Sequence, residues 1–162
     1  MNLWELNQKI LLRWYLTLSR IVKFAPQAPN CCWRLCGNLG TLFHIFWVCP
    51  LVAKYWKDVF QVILDVLGLS LPMEPGMALL SLGIESLPPD KRIIATHILL
   101  SARLVLARHW KQVHPPLLLE VITTTHTQAT YELLSASSQN SLHKIRPLWQ
   151  LWFDWYERYK IL

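Results

Sequence analysis

The stretch NCCWRLCGNLGTLFHIFWVCP, residues 30–50, contains all four cysteines of the chain together with a histidine, two glycines and a closing proline. No other segment restricts the fold as much, because clustered thiols must bind a metal, pair as disulfides or be buried as small apolar groups. The positions read Cys32-x3-Cys36-x7-His44-x4-Cys49. Two cysteines close together on a turn provide one edge of a tetrahedron. Thiolates with an imidazole suit the borderline-soft character of Zn2+. Gly37 and Gly40 let the backbone fold tightly after the first pair, and Pro50 suits the first turn of a helix that Cys49 would precede. Cys31 sits beside Cys32 and is an alternative ligand with a four-residue spacing to Cys36. Spacing alone leaves open whether these thiols hold metal or belong to an apolar core.

The surroundings of the segment are electrically lopsided. Lys9, Arg13, Arg20, Lys23, Arg34, Lys54 and Lys57 face Glu5 alone in residues 1–57, so this third carries the whole formal net charge of +6. An excess of that kind favours a polyanionic partner. Three thiolates and a divalent ion sum to one negative charge, which Arg34 and Lys54 are placed in the sequence to balance. Hydrophobic residues make up 53% of the chain, enough that a membrane has to be considered. The uncharged run IIATHILLSA, residues 93–102, has half the length a bilayer requires. The longer uncharged runs are interrupted by proline, and the first residues lack an apolar block with a cleavage site. These features predict an intracellular chain, cytoplasmic or nuclear, without a membrane partner.

Helical periodicity dominates elsewhere. Leu3, Leu6, Ile10, Trp14 and Leu18 predict an amphipathic helix over 2–20. Val52, Tyr55, Trp56, Val59, Phe60, Ile63 and Leu67 predict a second from Pro50, ended by Gly68. A short turn of helix fits around Met77. Pro89-Asp90 opens a third long helix running to about residue 114, with an inner stripe of Ile93, His97, Leu100, Leu104 and Ala107. A weaker one follows over 117–134, where Thr123, Thr124 and Thr125 are poor helix formers. An aromatic helix over 147–160 places Trp149, Trp152, Tyr156 and Tyr159 on one face, as core or as a surface for a protein partner. His97 is expected to be a core histidine bonded to backbone, and His109 and His114 to be surface or capping groups. The predicted fold is mostly α: a helical bundle in one compact domain. Within it, 1–29 form a basic helix and linker, 30–50 a small CCHC-type zinc knuckle, and 51–162 the helical remainder.

The sequence CWRLCGNLGTLFHIFWVCP resembles the zinc-binding segment near the C-terminus of reverse transcriptases from LINE-type, non-LTR retrotransposons. LLRWYLTLSRIVKFAP upstream, YWKDV downstream, LLSARLVLARHWKQ and the tryptophan-rich ending extend the likeness, most clearly from Lys9 to Lys111. The resemblance implies Cys32, Cys36, His44 and Cys49 as zinc ligands, with Trp33, Arg34, Gly37, Gly40, Thr41 and Trp47 at the matching neighbouring positions. It also implies contact with RNA or DNA. One departure stands out: the family reads Cys-Trp-Arg-Cys, whereas Leu35 is inserted here before Cys36. An added residue shifts a thiolate by up to about 3.5 Å, against a metal–ligand tolerance of about 0.2 Å. Either the loop absorbs it, Cys31 substitutes, or the site is lost.

The polymerase of that family relies on paired aspartates, and this chain has no Asp-Asp. HExxH, a glycine-rich phosphate loop and GxSxG are equally missing from the sequence. The expectation is therefore a fragment without catalysis: a zinc-stabilised module contacting nucleic-acid phosphates through Arg13, Arg20, Lys23, Arg34, Lys54 and Lys57. The alternative is a metal-free helical scaffold whose exposed aromatic surface meets a protein.

Overall fold

The computed structural model describes residues 5, 8–10, 12 and 14–160. Glu5 and residues 8–10 are helical; the first element with described bounds is a single turn, α1 (Leu18–Ile21), followed after the cysteine loop by a π-helical turn (His44–Val48). Then come α2 (Pro50–Leu67), the short α3 (Pro75–Leu80), a 3-10 turn (Ile84–Ser86), α4 (Pro89–Arg108), α5 (Leu118–Ser138) and α6 (Leu142–Tyr159). No strand occurs among the described residues; Cys31 and Leu39 form one isolated antiparallel bridge. The fold is thus mostly α, with the knuckle between the early helices.

α2 follows its sequence closely. Pro50 stands in its first turn, where its missing N–H loses nothing, and Gly68 ends it in the left-handed conformation at φ 66°. All seven expected core positions are buried. α2, α4, α5 and α6 each pack against the other three, and Trp56, Ile63, Ile94, Leu99, Leu106, Trp149 and Trp152 fill the space between them.

α4 lies at the centre. Every residue from 98 to 107 is buried, so its inner stripe widens to the whole circumference, as a helix enclosed by neighbours requires. This encloses Arg103, whose Nε and Nη1 have no partner; burial lowers its pKa to about 10. Ile93 and His97 are only half-buried. α4 stops at Arg108, six residues before the expected end; the backbone leaves the helical conformation at His109, whose carbonyl accepts a bond from Arg34.

α5 runs four residues past its expected end. Thr123, Thr125, Thr127 and Thr130 each donate their hydroxyl to the carbonyl four residues back, which occupies groups that would otherwise compete with the helix. The Glu120 carboxylate accepts the Leu117 N–H at its start. α6 begins at Leu142, so Pro147 lies inside the helix and not at its entrance. Trp149 and Trp152 are wholly buried and serve the core; Trp149 Nε1 donates to Glu132 Oε2 at 2.8 Å.

The expected helix over 2–20 does not form as one element. Leu3 and Leu6 lie outside the described residues. Beyond Ile10 the pattern breaks: Trp14 N–H reaches back five residues to the Lys9 carbonyl, and Thr17 N–H bonds Tyr15 O. Ile10 and Leu18 are buried, but Trp14 is 69% exposed. Tyr15 goes inward in its place, with its ring 5.0 Å from Phe46 and 5.2 Å from Trp110. Packing against the knuckle and the end of α4 outweighs local periodicity here.

Candidate metal centre

Cys32 opens a tight loop. Its N–H bonds Asn38 O at 2.7 Å, and Gly40 N–H bonds Asn30 O at 2.9 Å. A Cβ on Gly40 would meet Cys31 O and Leu18 Cβ at 3.3 Å, so the approach of three backbone segments depends on glycine there. Gly37 makes the reversal at φ 80°. Leu35 takes the left-handed conformation at φ 55° and points its side chain outward, 78% exposed. That single residue in an unusual conformation lets Cys36 turn back toward Cys32.

The second ligand pair depends on the π-turn. In an α-helix five residues advance about 500°, which would leave His44 and Cys49 roughly 140° apart. The wider turn, closed by Cys49 N–H on the His44 carbonyl at 2.9 Å, brings them nearly into line. Thr41 Oγ1 accepts the His44 N–H at 3.0 Å and Trp56 Nε1 donates to Phe46 O at 2.8 Å, fixing the turn from both sides.

As a result the donor atoms of Cys32, Cys36, His44 and Cys49 lie within 4.8 Å of one another. Cys32 Sγ stands 4.0 Å from Cys49 Sγ, and Cys36 Sγ 3.1 Å from His44 Nε2. A tetrahedral ion with sulfur at about 2.3 Å and nitrogen at about 2.0 Å needs edges of about 3.8 Å and about 3.6 Å. The four donors approach that arrangement, and closing on a metal ion needs changes of up to about 1 Å in the widest edge. Cys32, His44 and Cys49 are buried, and Cys36 alone borders solvent.

The protonation chemistry matches. Burial pushes the Cys32 thiol up to about 11, opposed by the Arg34 N–H and reinforced by the neighbouring thiols. Burial acts the same way on Cys36. There, however, hydrogen bonds from the backbone and side chain of Asn38, and from the other two thiols, bring the net value below the ordinary one. His44 is held below its usual value by burial and then by the Arg34 charge, which favours the neutral imidazole that ligates metals. A metal entering here displaces the proton that burial favours on the Cys32 thiol. Four protein donors leave no open coordination position, the pattern of a structural site.

The remaining predicted residues divide. Cys31 is exposed, with Sγ turned to Asn30 Oδ1 at 3.7 Å, and lies outside the cluster. Arg34 is 2% exposed and cannot serve as a surface phosphate contact; its fork is spent on the Ile45 and His109 carbonyls. Lys54 does not balance the centre either, because Asp58 Oδ2 holds its ammonium at 2.8 Å. Arg20, Lys23 and Lys57 are exposed. Arg13 lies outside the described residues. His97 bonds side chains and not backbone: Gln128 Oε1 at 3.0 Å and Glu132 Oε1 at 3.1 Å. His109 caps α4 and pairs with Glu120 at 3.0 Å.

Sequence reasoning missed Lys111. Its ammonium lies 5.0 Å from the Trp110 ring and 6.0 Å from Trp33, which places a cation and two indoles next to the knuckle. The signal was present as HWKQ, but only the early end of α4 turns it toward Trp33. No helix among the described residues is long and apolar enough to cross a membrane. No protein-family model matches the chain.

Proposed function

We propose that this chain is a zinc-stabilised nucleic-acid-binding module, of the kind its sequence resembles near the end of LINE-type reverse transcriptases, without a catalytic centre of its own. The observation that carries the reading is the convergence of three thiols and one imidazole on a common centre. Zinc is the ion whose softness and tetrahedral preference suit that donor set. When bound it would supply a closed cross-link between the loop after Cys32 and the start of α2.

The nucleic-acid part of the reading draws on what surrounds the knuckle. α1 lies against it through the Ser19 N–H on the Gly40 carbonyl, and Arg20 and Lys23 project from that turn into solvent. Trp14 is exposed beside them, and Lys111 stands over Trp33 and Trp110. Cations supply affinity for phosphates with little choice of sequence, and indoles offer faces on which unpaired bases stack. Arg20, Lys23 and Lys111, all exposed, take the place of the buried Arg34 as the contacts.

Two measurements test the reading. Elemental analysis of the purified protein is expected to give one zinc per chain. Fluorescence anisotropy with labelled single-stranded RNA and DNA is expected to show binding that falls with salt, with a log–log slope of about −2 for three contacts on a single strand. Metal-free protein with unaltered melting, or binding indifferent to salt, overturns it. The exposed Leu12, Trp14, Phe24 and Phe43 favour the second reading, a surface for a protein partner; self-association in sedimentation, without nucleic-acid binding, is the outcome that would select it.

A further inference from the structure

Arg34 is a buried guanidinium. Among the described residues it makes no ion pair; Nη1 donates to the Ile45 carbonyl at 3.2 Å and Nη2 to the His109 carbonyl at 3.5 Å, while Nε has no partner. A cation removed from water with only carbonyl dipoles around it is costly, and such groups persist where an opposite charge compensates them. The residue before it but one is Cys32, whose Sγ accepts the Arg34 N–H at 3.5 Å. Ile45 lies on the π-turn between His44 and Cys49. Its third partner, His109, is at the far end of α4 and starts the turn that carries Trp110 and Lys111.

We infer that Arg34 is a positioning residue that couples metal loading of the knuckle to the terminal turn of α4. The inference rests on the proposed metal-binding role. Three thiolates with a divalent ion leave one negative charge. In the metal-free protein the guanidinium has only the Ile45 and His109 carbonyls as partners for its terminal nitrogens. Loading offsets the cost of burying it, and the same side chain then holds the Ile45 carbonyl at the centre and the His109 carbonyl of the α4 turn in one fixed arrangement. The basic and aromatic groups on residues 109–114 are therefore ordered by a metal that touches none of them.

The test uses the full chain and Zn2+ or Co2+ as probes. Metal affinity is read by competition with a chelating dye, and order in residues 109–114 by hydrogen exchange with mass spectrometry, both for the unaltered protein, Arg34→Met and Arg34→Lys. Arg34→Met is expected to weaken metal binding ten- to hundredfold, the usual effect of losing a group behind the ligands. It should lower the melting temperature of the loaded protein and leave that of the metal-free protein equal or higher. Arg34→Lys, which keeps the charge but not the fork, should restore most of the affinity and none of the metal-dependent protection at 109–114. If Arg34→Met does not fold, Arg34→Gln against Arg34→Lys gives the same charge comparison. Equal affinities across the series, equal destabilisation with and without metal, or protection at 109–114 indifferent to loading overturns the inference. Failure of the unaltered protein to bind metal is a separate result, seen before any variant is made, and overturns the proposed function itself.

Discussion

The knuckle and the four-helix core are held together by different means. In the core, α2, α4, α5 and α6 enclose tryptophans, isoleucines and leucines with no access to solvent. Its order follows from apolar area removed from water, about 25 cal/mol per Å2. The knuckle has one isolated bridge, three residues at positive or crowded backbone positions and four donor side chains facing one another. Little apolar area is buried by its outer loop, where Leu35 and Leu39 are exposed. One region stands on packing; in the other, packing reaches Cys32, Ile45, Phe46 and Cys49 but not the outer loop, and the proposed metal would supply the remaining bond.

The largest effect expected is therefore confined to the knuckle. Binding of structural zinc is worth about 10–16 kcal/mol in small finger peptides, so stripping metal with a strong chelator should abolish exchange protection over residues 30–49. Helical circular dichroism from α4, α5 and α6 should persist. Simultaneous loss of both would show that the regions are one cooperative unit and would dissolve the contrast. The converse perturbation is Trp152→Ala, which empties a fully buried site between helices. It should cost about 3–5 kcal/mol, and the same amount in metal-loaded and metal-stripped protein. A loss that differs between the two forms would mean that the core senses the centre.

The same division governs what could be read from sequence. α2 was legible in full because the proline, the glycine and the stripe are local signals that its packing does not contradict. The ligand set was legible because thiols and imidazole are scarce and their spacing can be counted. What escaped depends on contacts between distant residues. The π-turn that aligns His44 with Cys49 leaves no mark in LFHIFWV apart from the ligand spacing itself. Arg34 reads as a surface cation until His109, 75 residues away, accepts its bond. α4 ends six residues early, next to that same contact. Tyr15 displaces Trp14 from the interior because Phe46 and Trp110 form the face it packs on, a reversal that periodicity alone assigns the wrong way. From sequence the helix starts at Pro147, whereas the carbonyl four residues back can lose one bond when Trp149, Trp152 and Trp155 bury so much on the same element.

A smaller effect sharpens the comparison from the side of the loop. Leu35 is exposed and held at φ 55°, a conformation that costs a residue with a Cβ about 1–2 kcal/mol. Glycine adopts it without that strain but loses more freedom on folding. Leu35→Gly should therefore stabilise the metal-loaded protein by up to about 1 kcal/mol, read as a higher denaturant midpoint at constant slope. Deleting Leu35 removes the residue that directs Cys36 inward and should lower metal affinity. Destabilisation by Leu35→Gly would indicate that the leucine side chain has a packing partner.

The smallest effect belongs to the core and is a dependence on pH. His126 on α5 stacks on Tyr156 at 3.8 Å between ring centroids and meets Phe153 edge-on at 5.6 Å. Its Nδ1 is buried without a partner. Burial holds its pKa below the ordinary value; Glu157 opposes that shift and Lys160 adds to it. Because the unfolded chain takes up a proton before the folded one does, the stabilising contribution of the neutral ring is complete above the ordinary histidine range. It declines as pH falls from that range toward the lower folded value, and below it no further loss occurs. His126→Phe keeps the stacked ring and removes the titration, so the difference in stability between variant and parent should widen in favour of the variant from pH 7 to pH 5. Both proteins should be compared metal-loaded and metal-stripped. A gap that widens only in the loaded form would place its origin in the ligands, whereas one that widens equally in both assigns it to the interface of α5 and α6, where packing and not the metal sets the local order.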